Sequence, residues 1–219
     1  MNYEQIVSWG RGIDEYQKMF HLSSPAQQGP ILAVGEGPAS FGAQWRASGG
    51  EVLSIDPLYG KTLTEISEQV KNTALQVTEQ LENNLDAFHW DAYRDPQALL
   101  TARLASLELF EADFSAHRSH YLNAALPCLP LEPGHFQLAL CSHLLFLYDQ
   151  HLDLSFHIQA LQELLRLAPE VRVYPVVNLQ NQRSTHLEVV CQHFPQARLE
   201  PVSYHFQKGA CEMLVVTQD

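Results

Sequence analysis

A glycine turn and a carboxylate stand at the spacing that a nucleotide's ribose requires. Gly35-Glu36-Gly37 follows the apolar run Ile31 to Val34, and Asp56 closes the run Glu51 to Ile55, 21 positions after Gly35. The usual offset for a ribose-binding acid is about 20. A four-residue apolar run suits a strand buried on both faces, and the glycines let the backbone turn sharply and approach a ligand closely. A carboxylate at the end of the next parallel strand can accept from both ribose hydroxyls. The pattern predicts a strand, a turn, a helix starting near Pro38 and a second strand. Gly35, Glu36, Gly37, Asp56 and Pro57 would face an adenosine-containing ligand.

The turn continues Pro38-Ala39-Ser40, so serine stands where a dinucleotide fingerprint carries its third glycine. A pyrophosphate needs free N–H groups and the positive end of a helix dipole. Glu36 adds a negative charge to the turn and Pro38 removes a donor. A ligand with a sulfonium and an α-amino group suits a nearby carboxylate better, which points to S-adenosylmethionine.

Methyl transfer from a sulfonium is an in-line displacement, for which alignment of the nucleophile does most of the work and a general base helps. His143 follows the apolar run Phe136 to Cys141 and Ser142, which places it at a strand end facing a crevice; Tyr148 and Asp149 are alternatives. A structural histidine bonded to backbone competes with that role. Trp9 and Arg11 are candidates to cover the cofactor, Arg11 by pairing a carboxylate bidentately. Among 11 histidines, His117 and His120 form one group, and His151 and His157 with Asp149 and Asp153 another. Neither is a complete ligand set at zinc-site spacing, so solvated polar faces and no metal are expected. Cys128, Cys141, Cys191 and Cys211 form no C-x-x-C and read as free thiols.

The elements that must position these residues follow from periodicity. An N-terminal helix is expected over 3–20, with Ile6, Trp9, Ile13, Tyr16 and Phe20 on one face. Leu63 to Phe88 repeats apolar residues at three and four, and Asp95-Pro96 caps and opens a second long helix through Phe114. These two helices, an insertion at about 61–118, would cap the substrate above the strand ends. Trp90 and Tyr93 in their connection, together with Tyr148, are the substrate-binding candidates. A third strand is expected near Ser119 to Leu122 and a fifth over Val171 to Val177. Two late strands, Ala197 to His205 and Glu212 to Thr217, flank Lys208-Gly209.

From about Ile31 to the C-terminus the sequence resembles the class I S-adenosylmethionine-dependent methyltransferases. Asp56 matches the family's second acid, and Phe136 to His143, preceded by Leu129-Pro130-Leu131, matches its fourth-strand segment. Ala33 stands where the family carries its first acid, and Asn123-Ala124-Ala125 where a residue often meets the adenine. The strings GPASF, CSHLLFLY and SWGRGIDEY are similar to an uncharacterised bacterial branch of the superfamily. The resemblance implies an α/β fold with an open, mostly parallel, Rossmann-like seven-stranded sheet, antiparallel C-terminal strands and a helical insertion. It also implies S-adenosylmethionine as cofactor, with Asn123, Ala124 and Ser142 added to the cofactor contacts.

Length and charge narrow the partners. A chain of 219 residues suits one elaborated domain. Its 25 acidic against 13 basic residues give a net charge of −12, a field that repels phosphate backbones and disfavours nucleic acid. No apolar run reaches the length that spans a bilayer, and no signal core follows the start, so a cytoplasmic protein acting on a small molecule is expected. The oligomeric state is open. Two other functions fit less of the sequence: a non-catalytic S-adenosylmethionine or S-adenosylhomocysteine-binding protein, and an NAD-dependent oxidoreductase.

Overall fold

The computed structural model describes residues 7 and 9–218. Its strands are β1 (Ile31–Val34), β2 (Val52–Ile55), β3 (Tyr121–Leu122), β4 (Leu138–Ser142), β5 (Glu170–Tyr174), β6 (Arg198–Pro201) and β7 (Glu212–Thr217). They form one sheet in the order β3-β2-β1-β4-β5-β7-β6. The first five are parallel, and β7 runs antiparallel to both β5 and β6. This is the open, mostly parallel, Rossmann-like sheet with antiparallel C-terminal strands that the sequence implied. The order reverses between β1 and β4, the point at which open α/β sheets leave a crevice beyond their carboxyl ends.

Alternation along the central strands divides the core into two layers. Ile31, Ala33, Leu138 and Leu140 face α1 (Ile13–Phe20) and α2 (Phe41–Ala47) through Tyr16, Phe20, Phe41 and Trp45. Leu32, Val34, Ala139 and Cys141 face α5 (Leu154–Leu167) and α6 (Leu187–His193) through Leu161, Leu164 and Val190. Burying such side chains contributes about 1.5–3 kcal/mol each. With both faces covered, β1 and the Leu138 to Cys141 stretch of β4 are apolar, as buried parallel strands tend to be.

The chain start differs from the expected helix. Residues 3–6 and 8 lie outside the described residues, 9–12 are not helical, and α1 begins at Ile13. A β-carbon at Gly10 would lie 2.0 Å from the Pro38 carbonyl oxygen, so the segment is pressed flat onto the glycine turn. The second helix also starts later than expected, at Phe41 rather than near Pro38. Residues 37–38 form a turn, held by the Tyr59 hydroxyl donating to the Gly37 carbonyl at 2.7 Å.

The insertion holds two long helices, α3 (Leu63–Glu82) and α4 (Pro96–Ala116). Thr62 and Glu65 form a capping box on α3, and Asp95 caps α4 by accepting from the Ala98 N–H at 2.7 Å. The first helix stops at Glu82 rather than reaching Phe88, because Phe88 pairs with Gln207 in an antiparallel bridge and the His89 N–H donates to the Phe206 carbonyl at 2.8 Å. That anchor also tethers the start of the connection between the helices. Helix α3 lines the cavities described below through Gln69, Val77 and Leu81. Its neighbour α4 buttresses it from the side, joined to the glycine turn by Ser106 and Ser40 (Oγ to Oγ, 3.0 Å) and to α1 by Arg103. The Arg103 guanidinium donates twice to the Glu15 carboxylate, at 2.6 and 2.7 Å, both side chains being buried. Burial alone would raise the Glu15 pKa, but Arg103 overrides it and holds the carboxyl at about 2. Among the described residues, no helix is long and apolar enough to cross a membrane.

Candidate cofactor and acceptor site

A cavity of about 360 Å³ opens at the carboxyl ends of β1, β2 and β4. Gly35 and Gly37 turn beneath it with φ of 68° and 54°, a region open to glycine without strain. Leu144 already lies 3.1 Å from where a Gly35 β-carbon would be. Asp56 stands at the end of β2, where one carboxylate oxygen accepts from the Gly37 N–H at 3.0 Å and the other from the Leu58 N–H at 2.8 Å. A carboxylate offers about four lone-pair sites, so two stay free for ribose hydroxyls. Burial raises the Asp56 pKa against these two bonds. Beyond Asp56 the walls are apolar: Pro57 and Leu58 on one side, Ala124 and Leu126 on the other, with Phe156 of α5. That slot suits a flat heterocycle.

Arg11 lies at the opposite end, where its Nη1 donates to the Trp9 carbonyl at 3.1 Å and its buried Nε has no partner among the described residues. A half-buried guanidinium whose Nε donor is unused fits a carboxylate. Ser142 and His143 close the cavity at the end of β4. His143 has φ of 53°, an uncommon left-handed conformation for a side-chain-bearing residue. Its N–H donates to the Tyr174 carbonyl at 2.6 Å, and its Nδ1 lies 2.9 Å from Ser142 Oγ. Burial first, then the nearby Arg11 and Arg103 charges, depress its pKa well below the usual histidine value, so the ring is neutral near pH 7.

Gly35, Glu36, Gly37, Asp56, Pro57, Ala124, Ser142, His143 and Arg11 all border this one cavity. Glu36 does so with a carboxylate packed against the protein. The side chain is buried, and Oε1 accepts from the Gly42 N–H at 2.9 Å, capping α2 from one turn back. Its Oε2 has no partner among the described residues, and burial pushes its pKa up to about 7. Asn123 lies outside the cavity, exposed beside Gly60. Tyr148 is buried, its hydroxyl accepting from the Val7 N–H at 2.8 Å. Trp90 and Tyr93 set their ring edges against Phe206, and neither borders the cavity.

Sequence reasoning missed Tyr16, Lys61 and Gln69, which also line the cavity. Tyr16 was read only as an apolar helix position, and Lys61 and Gln69 carry no motif. The second polar grouping is only partly a solvated face, with His151 and Asp153 exposed. His157 is fully buried and Asp149 nearly so, and Asp153 caps α5 by accepting from the Phe156 N–H at 2.7 Å. His117 and His120 come together with Asp113, their candidate ligand atoms lying within 4.8 Å of one another. The Asp113 carboxylate is held there by the Arg46 guanidinium and the Tyr121 hydroxyl, so a positive charge already pairs with one of the candidate ligands. All four cysteines are free thiols.

No protein-family model matches the chain. The chain is 29% identical over 217 residues to the uncharacterized protein MJ0045 of Methanocaldococcus jannaschii, covering 99% of this chain and 98% of that one. That relative is archaeal, so it lends nothing to the bacterial character of the resemblance. A crystal structure from Methanococcus maripaludis, provisionally described as an S-adenosyl-L-methionine-dependent methyltransferase, aligns over 94% of this chain and 83% of its own with a TM-score of 0.42 and 8% identity. A likeness that loose carries no functional inference.

Proposed function

We propose that this chain, as one elaborated domain, is a cytoplasmic S-adenosylmethionine-dependent methyltransferase acting on a small-molecule acceptor. The carrying observation is the 360 Å³ cavity at the sheet's switch point, bordered by the glycine turn, Asp56 and Arg11. That volume falls within the range of about 300–1,000 Å³ typical of small-molecule sites. The chemical groups of S-adenosylmethionine fit the donor set: ribose on Asp56, adenine between Leu58 and Ala124 to Leu126, and carboxylate on Arg11.

When bound, S-adenosylmethionine supplies a methyl group on a positively charged sulfur. The chain's own residues align and deprotonate. In the tautomer that has Nδ1 of His143 donating to Ser142 Oγ, Nε2 is the nitrogen left to take a proton from an acceptor. The strained backbone at His143 and its bond to Tyr174 hold the ring at the cavity edge. The −12 net charge supports a substrate other than nucleic acid.

A non-catalytic S-adenosylmethionine or S-adenosylhomocysteine-binding protein is the second reading, favoured by Ala33. It is buried within the sheet and gives a ligand no acidic contact. An NAD-dependent oxidoreductase is favoured by nothing beyond the glycine turn and Asp56. Calorimetric titration with S-adenosylmethionine, S-adenosylhomocysteine and NAD tests the proposal. Micromolar binding of the first two and none of NAD is expected, and the reverse order would refute it.

A further inference from the structure

By spacing alone His117 and His120 are no complete ligand set, but the fold brings Asp113 to them. Asp113 lies in the last turn of α4, His117 stands at that helix's carboxyl end, and His120 closes the short 3-10 turn Arg118–His120 before β3. We propose that Asp113, His117 and His120 form a site for one divalent transition-metal ion of zinc's class. The proposal does not rest on the methyltransferase reading.

Ligand chemistry sets the class of ion. Two imidazoles and one carboxylate are donors that zinc and its neighbours take, whereas magnesium and calcium favour oxygen ligands. Zinc lies about 2.0–2.2 Å from nitrogen and oxygen ligands, so neighbouring ligand atoms in a tetrahedral site stand roughly 3.4 Å apart. Asp113 Oδ1 and His117 Nδ1 are 2.9 Å apart, and one candidate atom from each of the three residues lies within 4.8 Å of the others. Closing the set takes about 1.5 Å of side-chain movement at most, and the exposed His117 ring has room for it. His120 Nδ1 has no partner among the described residues, so no protein donor competes for that nitrogen.

Arg46 leaves the ligand position open. Its guanidinium and the Tyr121 hydroxyl both donate to Asp113 Oδ2, and Oδ1 is the oxygen turned to His117. Carboxylates that bind metals are themselves held by hydrogen bonds in this way, which fixes their orientation. The Arg46 charge opposes a cation, while the negative carboxyl end of α4 and the net charge of −12 favour one. With three protein ligands and that opposing charge, the expected affinity is micromolar. A bound ion would join the end of α4 to the start of β3. Through its Leu122 carbonyl, β3 accepts from the Asp56 N–H at 3.3 Å, so the ion would brace one wall of the larger cavity.

Calorimetry on the full chain tests this, with Zn²⁺ titrated at pH 7.5 into protein stripped by a chelator and then dialysed. One micromolar site per chain is expected, and no binding of Mg²⁺. His117→Ala and His120→Ala should each weaken Zn²⁺ at least tenfold. His151→Ala, at another exposed histidine, should leave the affinity within twofold. Should His120→Ala fail to fold, His117→Ala, at an exposed position, carries the comparison. Absence of a micromolar site, Zn²⁺ affinity unchanged by His117→Ala, or an equal loss from His151→Ala would each overturn the proposal.

Discussion

Replacing Glu36 with glutamine should stabilise the protein, and only on the alkaline side. The carboxyl is buried, one oxygen accepts from Gly42 N–H, and burial, outweighing the opposing Ser54 hydroxyl and Arg46 charge, raises the pKa from 4.5 to about 7. A raised carboxyl pKa means that the folded chain binds the proton more tightly than the unfolded one. Its contribution to stability is complete below pH 4.5 and is lost as pH rises through about 7. At roughly 1.4 kcal/mol per pKa unit, the loss is on the order of 2–4 kcal/mol. Glutamine keeps the acceptor for Gly42 and cannot ionise. Urea denaturation followed by circular dichroism should therefore show Glu36→Gln more stable than wild type by about 2–4 kcal/mol at pH 8.5, with little difference at pH 5. In melting temperature this is roughly 5–15 °C for a chain of this size. Equal effects at both pH values, or a less stable variant at pH 8.5, would show that Glu36 is not held as a reluctant acid.

Asp56→Ala should weaken S-adenosylhomocysteine by ten- to a hundredfold in calorimetry, since hydrogen bonds to a charged acceptor contribute about 1.5–3 kcal/mol. Arg103→Met should destabilise by about 3–5 kcal/mol in urea denaturation by stranding the Glu15 carboxylate, and adding Glu15→Leu should recover much of the loss. His143→Ala should lower turnover about 10²–10⁴-fold with cofactor affinity nearly unchanged. With its pKa held well below 6.5, His143 should leave kcat flat as pH falls through 6.5, and an acid limb centred there would contradict the burial.

The sheet was readable because its signals are local. Ile31 to Val34 and Leu138 to Cys141 are apolar on both faces, and Asp56 sits at a fixed offset from Gly35, so the strands and the crevice follow from short stretches of sequence. What escaped depends on contacts distant in the chain. Gly10 and Gly12 leave the 9–12 segment weakly helical, and the close contact of Gly10 with Pro38 then decides its shape. The end of α3 is set by the bridge from Phe88 to Gln207, on a strand-end loop that periodicity cannot see. Glu36 has a residue type suited to a ligand cation, and only the folded turn shows it reaching Gly42 instead. Trp90 and Tyr93 lie in the connection as expected but pack on Phe206, whereas Tyr148, the third substrate candidate, lines a smaller cavity of about 80 Å³ together with Trp9, Arg11 and His143.

A crystal structure of the protein grown with S-adenosylhomocysteine addresses the central claim most directly. Its adenine should lie between Leu58 and Ala124 to Leu126, its ribose hydroxyls within hydrogen-bond distance of Asp56, and its carboxylate on Arg11, leaving the 80 Å³ cavity beyond His143 free. Ligand bound away from Asp56, or the 360 Å³ cavity without ligand at saturating concentration, would contradict the assignment of this site to S-adenosylmethionine.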